Sequence, residues 1–436
     1  MSVSRADAPS GRSFQEFFRT EAAGGALLVA CACLALVLAN SGLSDSYHQF
    51  WDAPLSIAVG ARPMTMSLHA WINDGLMAVF FLLVGLEIKR EALAGELSSG
   101  PQAALPIAGA IGGMLVPALI YAGINGGGPA AHGWAIPMAT DIAFALGVLS
   151  LVAPHAPTGL KVFLAALAIV DDMGAVLVIA MFYSGALVWA SLLLAAAAMA
   201  VLVGLNLLRV NHLAPYLLVG VALWYFVHDS GIHATIAGVL LAFTIPTRTR
   251  IDASEYSTEA RRLLDEFDRT ETGDLLTLTS KGQQDAIIGL ERASERVTAP
   301  LLRLEHALHG LAAFIIMPIF ALSNAGVVLG TGASTTVVVG VLGGLAIGKP
   351  VGITVAAWLA VRAGLATLPA GVSWHALHGV AWLGGIGFTM SLFITNLAFE
   401  DVALVGAAKL GILASSVVAG LVGAAWIRLA TRPVAG

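Results

Sequence analysis

The chain has 436 residues, of which 58% are hydrophobic and only 11% charged, with a mean hydropathy of +0.86. Soluble globular chains average ~25% charged residues, so this composition excludes that class and identifies an all-α polytopic membrane protein whose surroundings are the lipid bilayer. The formal charge of −5 lies outside the apolar runs, and no nucleic-acid partner is expected; Cys31 and Cys33, two apart on one apolar helix, make neither a disulfide framework nor a metal site.

Residues 1–21 are polar, carry Arg5, Arg12 and Arg19, and read as a tail. The apolar run 22–40 is long enough to span a bilayer, and a leader that carries Glu16 and Glu21 is not that of a signal peptide. Next, Leu55, Ile57 and Val59 alternate with small residues, Gly60-Ala61-Arg62-Pro63 follows, and Met64, Met66 and Leu68 alternate again. Period two around a turn predicts a small extracellular β-hairpin over 54–68, with an irregular loop as the alternative. Further apolar spans read as 69–88, 103–122, 134–153, 162–183, 187–208, 213–229 and 231–246, then 307–329, 336–361, 376–399 and 403–427. With the first run they make about twelve, eight of them within 22–246 and four within 307–428. Between these blocks, 247–306 interleaves acids and bases with apolar residues at helical spacing, which predicts short surface helices in a long charged loop. Residues 429–436 form a short tail. All but three of the 22 Lys and Arg residues fall on one side if the N-terminus is cytoplasmic, so both termini are placed there.

The span 162–183 carries Asp171 and Asp172 side by side near its middle. A carboxylate at that depth costs at least ~2.5 kcal/mol, and adjacent helix positions point ~100° apart. One acid can therefore face a water-filled cavity while the other meets a partner. The span 134–153 holds Thr140 and Asp141 just after Pro137, and the span 376–399 holds Gly384-Gly385-Ile386-Gly387. Both sequences break a helix and free backbone groups at membrane depth, which is tolerated only beside protein or water. Lys349 is the third unusual charge, at mid-span in 336–361, and pairing with an acid is its cheapest arrangement. The blocks 103–183 and 336–427 each contain three spans with a broken middle one, and they start from opposite sides. That is the plan of inverted-topology repeats. Glu87, Lys89, Arg90 and Glu91 end the span 69–88; His228 and His233 flank a tight extracellular turn; Asn73 and Asp74 read as a cap; Asn324 is deep enough to bond across helices.

In the stretches FFLLVGLEIKRE, PMATDIAFALG, LAIVDDMGAVLVIA, GIHATIAGVLLAF, RLEHALH, FALSNAGV, IGKPVGI and GGIGFTMSLFI the chain resembles the NhaA family of sodium/proton antiporters. That family is itself a type example of the inverted-repeat plan. The resemblance implies two crossed broken helices, a bacterial inner-membrane location, and pH-regulated, electrogenic exchange of cytoplasmic Na⁺ or Li⁺ for external protons without a cofactor. It implies that Asp172 is the main carrier of Na⁺ and proton, that Asp171 beside it pairs with Lys349, and that Thr140 and Asp141 are the polar pair at the crossing. It ties Glu87, Arg90, Glu91, His233 and Glu305 to a pH response, and the hairpin to a homodimer contact. Two features depart from the family: the 247–306 loop is long, and Leu302 stands where a basic residue often precedes the arginine, here Arg303.

Two rival classes share some of these features. A sodium-coupled organic anion symporter can use the same plan, and an intramembrane aspartyl protease also uses acids on two helices. The acid pair with an intramembrane lysine fits proton exchange better than symport, and the Gly-x-Gly-Asp protease motif is absent at Asp141, Asp171 and Asp172.

Overall fold

In lipid, every backbone N–H and C=O needs a partner within the protein, so long apolar runs fold as helices. The structure, a computed structural model, describes residues 11–59, 62–269, 281–328 and 334–431. The expected N-terminal tail up to residue 10, the hairpin tip at 60–61, part of the charged loop (270–280) and the C-terminal tail from 432 lie outside the described residues.

Helix α1 (Gly11–Ala39) starts ahead of the apolar run, and α2 (Ser44–Asp52) leaves it at 115°. Strands β1 (Pro54–Val59) and β2 (Arg62–Ser67) pair antiparallel, Pro54 opposite Ser67, forming the expected hairpin. Helix α3 (Leu68–Ala94) follows directly and contains a π-helical stretch at Trp71–Leu76. Its cap is Ser67, whose hydroxyl accepts from the Ala70 N–H at 3.1 Å. Asn73 and Asp74 therefore lie inside the helix instead of capping it, because the chain turns helical straight out of β2. The order continues with α4 (Gly100–Asn125), a 3₁₀ segment α5 (Pro129–Met138), α6 (Ile142–Val152), α7 (Thr158–Phe182) and α8 (Trp189–Leu207). Then come α9 (Leu213–Asp229), α10 (Ile236–Thr244), α11 (Ala253–Arg269) and α12 (Lys281–Val297). The chain closes with α13 (Pro300–Asn324), α14 (Thr335–Arg362), α15 (Trp374–Leu383), α16 (Phe388–Ala398) and α17 (Val402–Ala430).

Among the described residues, seven helices are long and apolar enough to cross a bilayer, or ten if each of three bent pairs is one span. The expected count of twelve is not reached, because α9 has 17 residues and α10 only nine. Nine helical residues rise ~14 Å, against ~30 Å of hydrocarbon. The expected span 231–246 is thus helical only in its later part. Its start is irregular: Gly231 has φ +84°, in the left-handed region, and its carbonyl accepts from the Gly185 N–H at 2.8 Å. The expected span 307–329 is shifted to α13, since Pro300 sits in the first turn, where a missing N–H costs nothing. Beyond its end, Gly326 packs on the Tyr47 ring, where a Cβ would not fit.

The charged segment folds back on itself as α11 and α12. Arg296 reaches both carboxylate oxygens of Glu259 at 2.6 and 2.7 Å, and Leu263 is buried against Gly289. Within the membrane part, α4 and α14 cross backbone to backbone at Gly112 and Gly352, each glycine lying where a Cβ would strike the other's carbonyl. Small residues allow such close approach in lipid. One turn before this contact, α14 carries Lys349, so the crossing fixes the depth of that side chain. Gly352→Val is expected to lower stability by ~1–3 kcal/mol through overpacking, read as a fall in the thermal midpoint of the detergent-solubilised protein.

Candidate ion-binding site

The site is built on two interruptions. Helix α5 ends at Met138, one residue after Pro137; Ala139 and Asp141 are extended, and α6 resumes at a 42° bend. Gly384–Gly387 separate α15 from α16, which are bent by 48°. The two breaks meet and satisfy each other. The Asp141 N–H donates to the Ile386 carbonyl at 2.7 Å, the Thr140 hydroxyl to Gly384 at 2.8 Å, and the Ser391 hydroxyl to Ile136 at 2.8 Å.

Two charged side chains take groups left over at the half-helix ends. Asp141 caps α6, its Oδ1 accepting from the Phe144 N–H at 3.0 Å. Its Oδ2 accepts from the first turn of α16, through the Thr389 N–H at 3.2 Å and hydroxyl at 2.5 Å. One carboxylate thus lies at two helix N-termini, where the dipoles favour negative charge. Lys349 does the converse: its Nζ donates to the Met138 carbonyl at the C-terminus of α5 and to Asp171 Oδ2, the latter at 2.5 Å.

Asp171 and Asp172 occupy consecutive positions of α7 and diverge as the helical angle requires. Asp171 and Lys349 form an ion pair with neither side chain exposed. Asp172 is also buried, yet its Oδ1 has no hydrogen-bond partner among the described residues. It lines a cavity with Asp141, Thr389, Glu87 and His309. The cavity gives about 70 Å³ of room to water centres, several times the ~10–15 Å³ that one water needs.

That cavity shares Glu87, Ile142 and His309 with a wider space of about 440 Å³. This funnel is lined further out by Arg90, Glu91, Lys161, Glu305 and His306. Arg90 pairs with Glu305, which is 6% exposed, and with Glu91 at 3.0 Å. Lys89 faces away and donates to the Phe243 and Ile245 carbonyls at 2.7 and 2.5 Å, closing the C-terminus of α10. The funnel therefore gathers Glu87, Arg90, Glu91 and Glu305. It does not include His233, which precedes α10 at the end opposite Lys89, beside His228.

Two residues of the site escape a reading of the sequence. Thr389 holds Asp141, and its signal is its place just after the glycine break. His309 joins cavity and funnel, and its signal is the one-turn spacing from Glu305.

Buried acids between two broken helices, one of them in an ion pair and one with an oxygen free of hydrogen bonds at the end of a funnel, are features of an ion-transporting membrane protein. The chain belongs to the Na⁺/H⁺ antiporter 1 family, whose model matches residues 15–427. It is similar to the Na⁺/H⁺ antiporter NhaA of Oleidesulfovibrio alaskensis, with 52% identity over 96% of this chain and 94% of the relative. The NhaA antiporter of Acidithiobacillus ferrooxidans is 50% identical over 96% and 98%, and that of Helicobacter pylori 45% identical over 98% of each chain.

The ion pair yields a direct expectation. Asp171→Asn leaves a buried lysine charge without its partner and is expected to cost ~3–5 kcal/mol, while Asp171→Asn with Lys349→Met recovers part of that loss, the Met138 carbonyl staying without its donor. A double-mutant cycle on thermal stability measures both; equal loss in single and double variants would contradict the pairing.

Proposed function

We propose that this protein exchanges cytoplasmic Na⁺ or Li⁺ for external protons, with Asp172 as the carboxylate that holds either ion. The observation that carries this reading is the Asp172 carboxylate, buried, with an oxygen free of hydrogen bonds, at the inner end of the funnel. Na⁺ is a hard cation that takes oxygen ligands, and Asp172, with Thr389 and Asp141 beside it, offers them. Neighbouring acids at this depth do not both remain charged unless cations balance them. Lys349 balances Asp171, so Asp172 is left to a Na⁺ or a proton, and the two compete.

Alternating access then follows from rocking of the helices around the two breaks. The reading places twelve crossings in inverted-topology repeats, with the irregular 231–235 stretch and α10 as one crossing. It puts both termini and the funnel on the cytoplasmic side of a bacterial inner membrane, supported by the excess of basic residues there. Titration at the Asp171–Lys349 pair during Na⁺ release makes more protons than sodium ions move per cycle, which is electrogenic exchange. The β1–β2 hairpin is assigned to a homodimer contact. Arg90, Glu91, Glu305 and Glu87, clustered in the funnel, are assigned to the pH response.

Two measurements test this. In inverted vesicles, wild-type protein is expected to give Na⁺-dependent dequenching of a pH dye, and Asp172→Asn to reduce it at least ~100-fold, the scale of losing a charged ligand at ~3 kcal/mol. Full exchange by Asp172→Asn would refute the assignment. Glu305→Gln removes the counter-charge of Arg90 and is expected to move the pH profile of exchange by about one unit, against an unchanged profile if the cluster is only structural.

A further inference from the structure

The cavity at Asp172 continues into the funnel on one face. Toward the other face, α3, α13 and α16 close it in two layers. The first is aromatic. Phe81, Phe320 and Phe393, one from each helix, are all but fully buried, with ring centroids 5.4 Å apart for Phe81–Phe393 and 6.4 Å for Phe320–Phe393. Phe320 and Phe393 stand one turn beyond cavity-lining residues, Met317 on α13 and Met390 on α16, and Phe81 follows the cavity-lining Phe80 on α3.

The second layer, further out on the same helices, is polar and forms a closed ring. His69 Nε2 lies 3.0 Å from Asn324 Oδ1, an atom that only accepts, so Nε2 carries the hydrogen. His69 Nδ1 is then the acceptor for Asn73 Nδ2 at 3.1 Å. Asn324 Nδ2 closes the ring by donating to Asn73 Oδ1 at 3.1 Å and also reaches the Phe320 carbonyl at 3.0 Å. Asn396 on α16 joins from outside, its Nδ2 donating to Asn324 Oδ1 at 2.5 Å. Asn324 is fully buried and serves α3, its own helix α13 and α16 at once. Asn73 lies in the π stretch of α3, where the backbone ladder departs from α-helical spacing. The charged groups that face His69 are Lys409 on α17 and Asp52 on α2.

The layers do different work. Packed phenyl rings exclude water. A ring of side-chain hydrogen bonds fixes one arrangement of three helices and can open with little net cost, because water replaces each bond once it enters. No residue of either layer lines the cavity at Asp172. We propose that the His69–Asn73–Asn324 ring, with Asn396 attached, is the latch of the face opposite the funnel, and that it opens in the half-cycle that exposes Asp172 to that face. This rests on the alternating-access reading above.

The test uses the full chain in membrane vesicles, with Ala313→Cys in the cavity wall and Cys31 and Cys33 replaced by serine. A membrane-impermeant thiol reagent is applied from each face. With the ring intact, labelling is expected from the funnel face alone. Asn324→Ala and His69→Leu are each expected to raise labelling from the opposite face about fivefold, the population shift from losing one net hydrogen bond, with a smaller rise for His69→Gln, which keeps a side-chain N–H donor. Labelling from the funnel face shows that each variant has folded, and Asn396→Ala replaces Asn324→Ala if the latter does not fold. Folded variants with no rise at the opposite face overturn the latch. The readout does not depend on transport: a rise in labelling alongside a wild-type protein that moves no protons with Na⁺ supports the latch and refutes the exchange reading.

Discussion

The structure depends on one constraint: backbone groups released at two helix breaks in the middle of a bilayer must find partners. The breaks at 139–141 and 384–387 bond to one another, and the groups at the half-helix ends are taken by Asp141 and Lys349. These two charges are opposite in sign and sit at opposite kinds of helix end, so each is stabilised by what it stabilises. Replacing them with apolar residues would leave N–H and C=O groups without partners in a place where water is scarce.

From that crossing the rest of the site follows. Lys349 is held in place for the Met138 carbonyl, and being there it also meets Asp171. Because Asp171 and Asp172 are adjacent on α7, pairing the first turns the second toward the cavity. An oxygen without a hydrogen bond then stands at the end of the funnel, where the proposed exchange places a cation or proton. Three of the helices that wall the cavity, α3, α13 and α16, carry the Phe81, Phe320 and Phe393 layer and the His69–Asn73–Asn324 ring beyond it. The proposed site, access path and closure thus share a small set of elements, which suits the proposed alternating access around a fixed site.

Much of this was legible in the chain, for physical reasons. Charges in apolar runs are rare because they are costly, so Asp141, Asp171, Asp172 and Lys349 stand out, as do the proline and glycine breaks. The hairpin shows because period two differs from helical spacing. What the sequence hides is set by tertiary geometry. That Thr389 holds Asp141 depends on where two breaks meet. The ring of neutral amides and an imidazole leaves no mark in hydropathy, and Asn73 reads as a cap because nothing local shows that Ser67 already fills that role. The short helix α10 was hidden by an apolar composition that serves buried irregular backbone as well as a span.

The central claim is that one carboxylate site holds either Na⁺ or a proton. The most direct measurement is calorimetric Na⁺ binding to the purified protein in buffers of different ionisation enthalpy, across the pH range of activity. Competition predicts proton release on Na⁺ binding, rising above one proton per ion at the acid end, where both Asp172 and the Asp171–Lys349 pair start out protonated. Na⁺ binding with no buffer dependence at any pH would contradict it, because the two ions would then occupy separate sites.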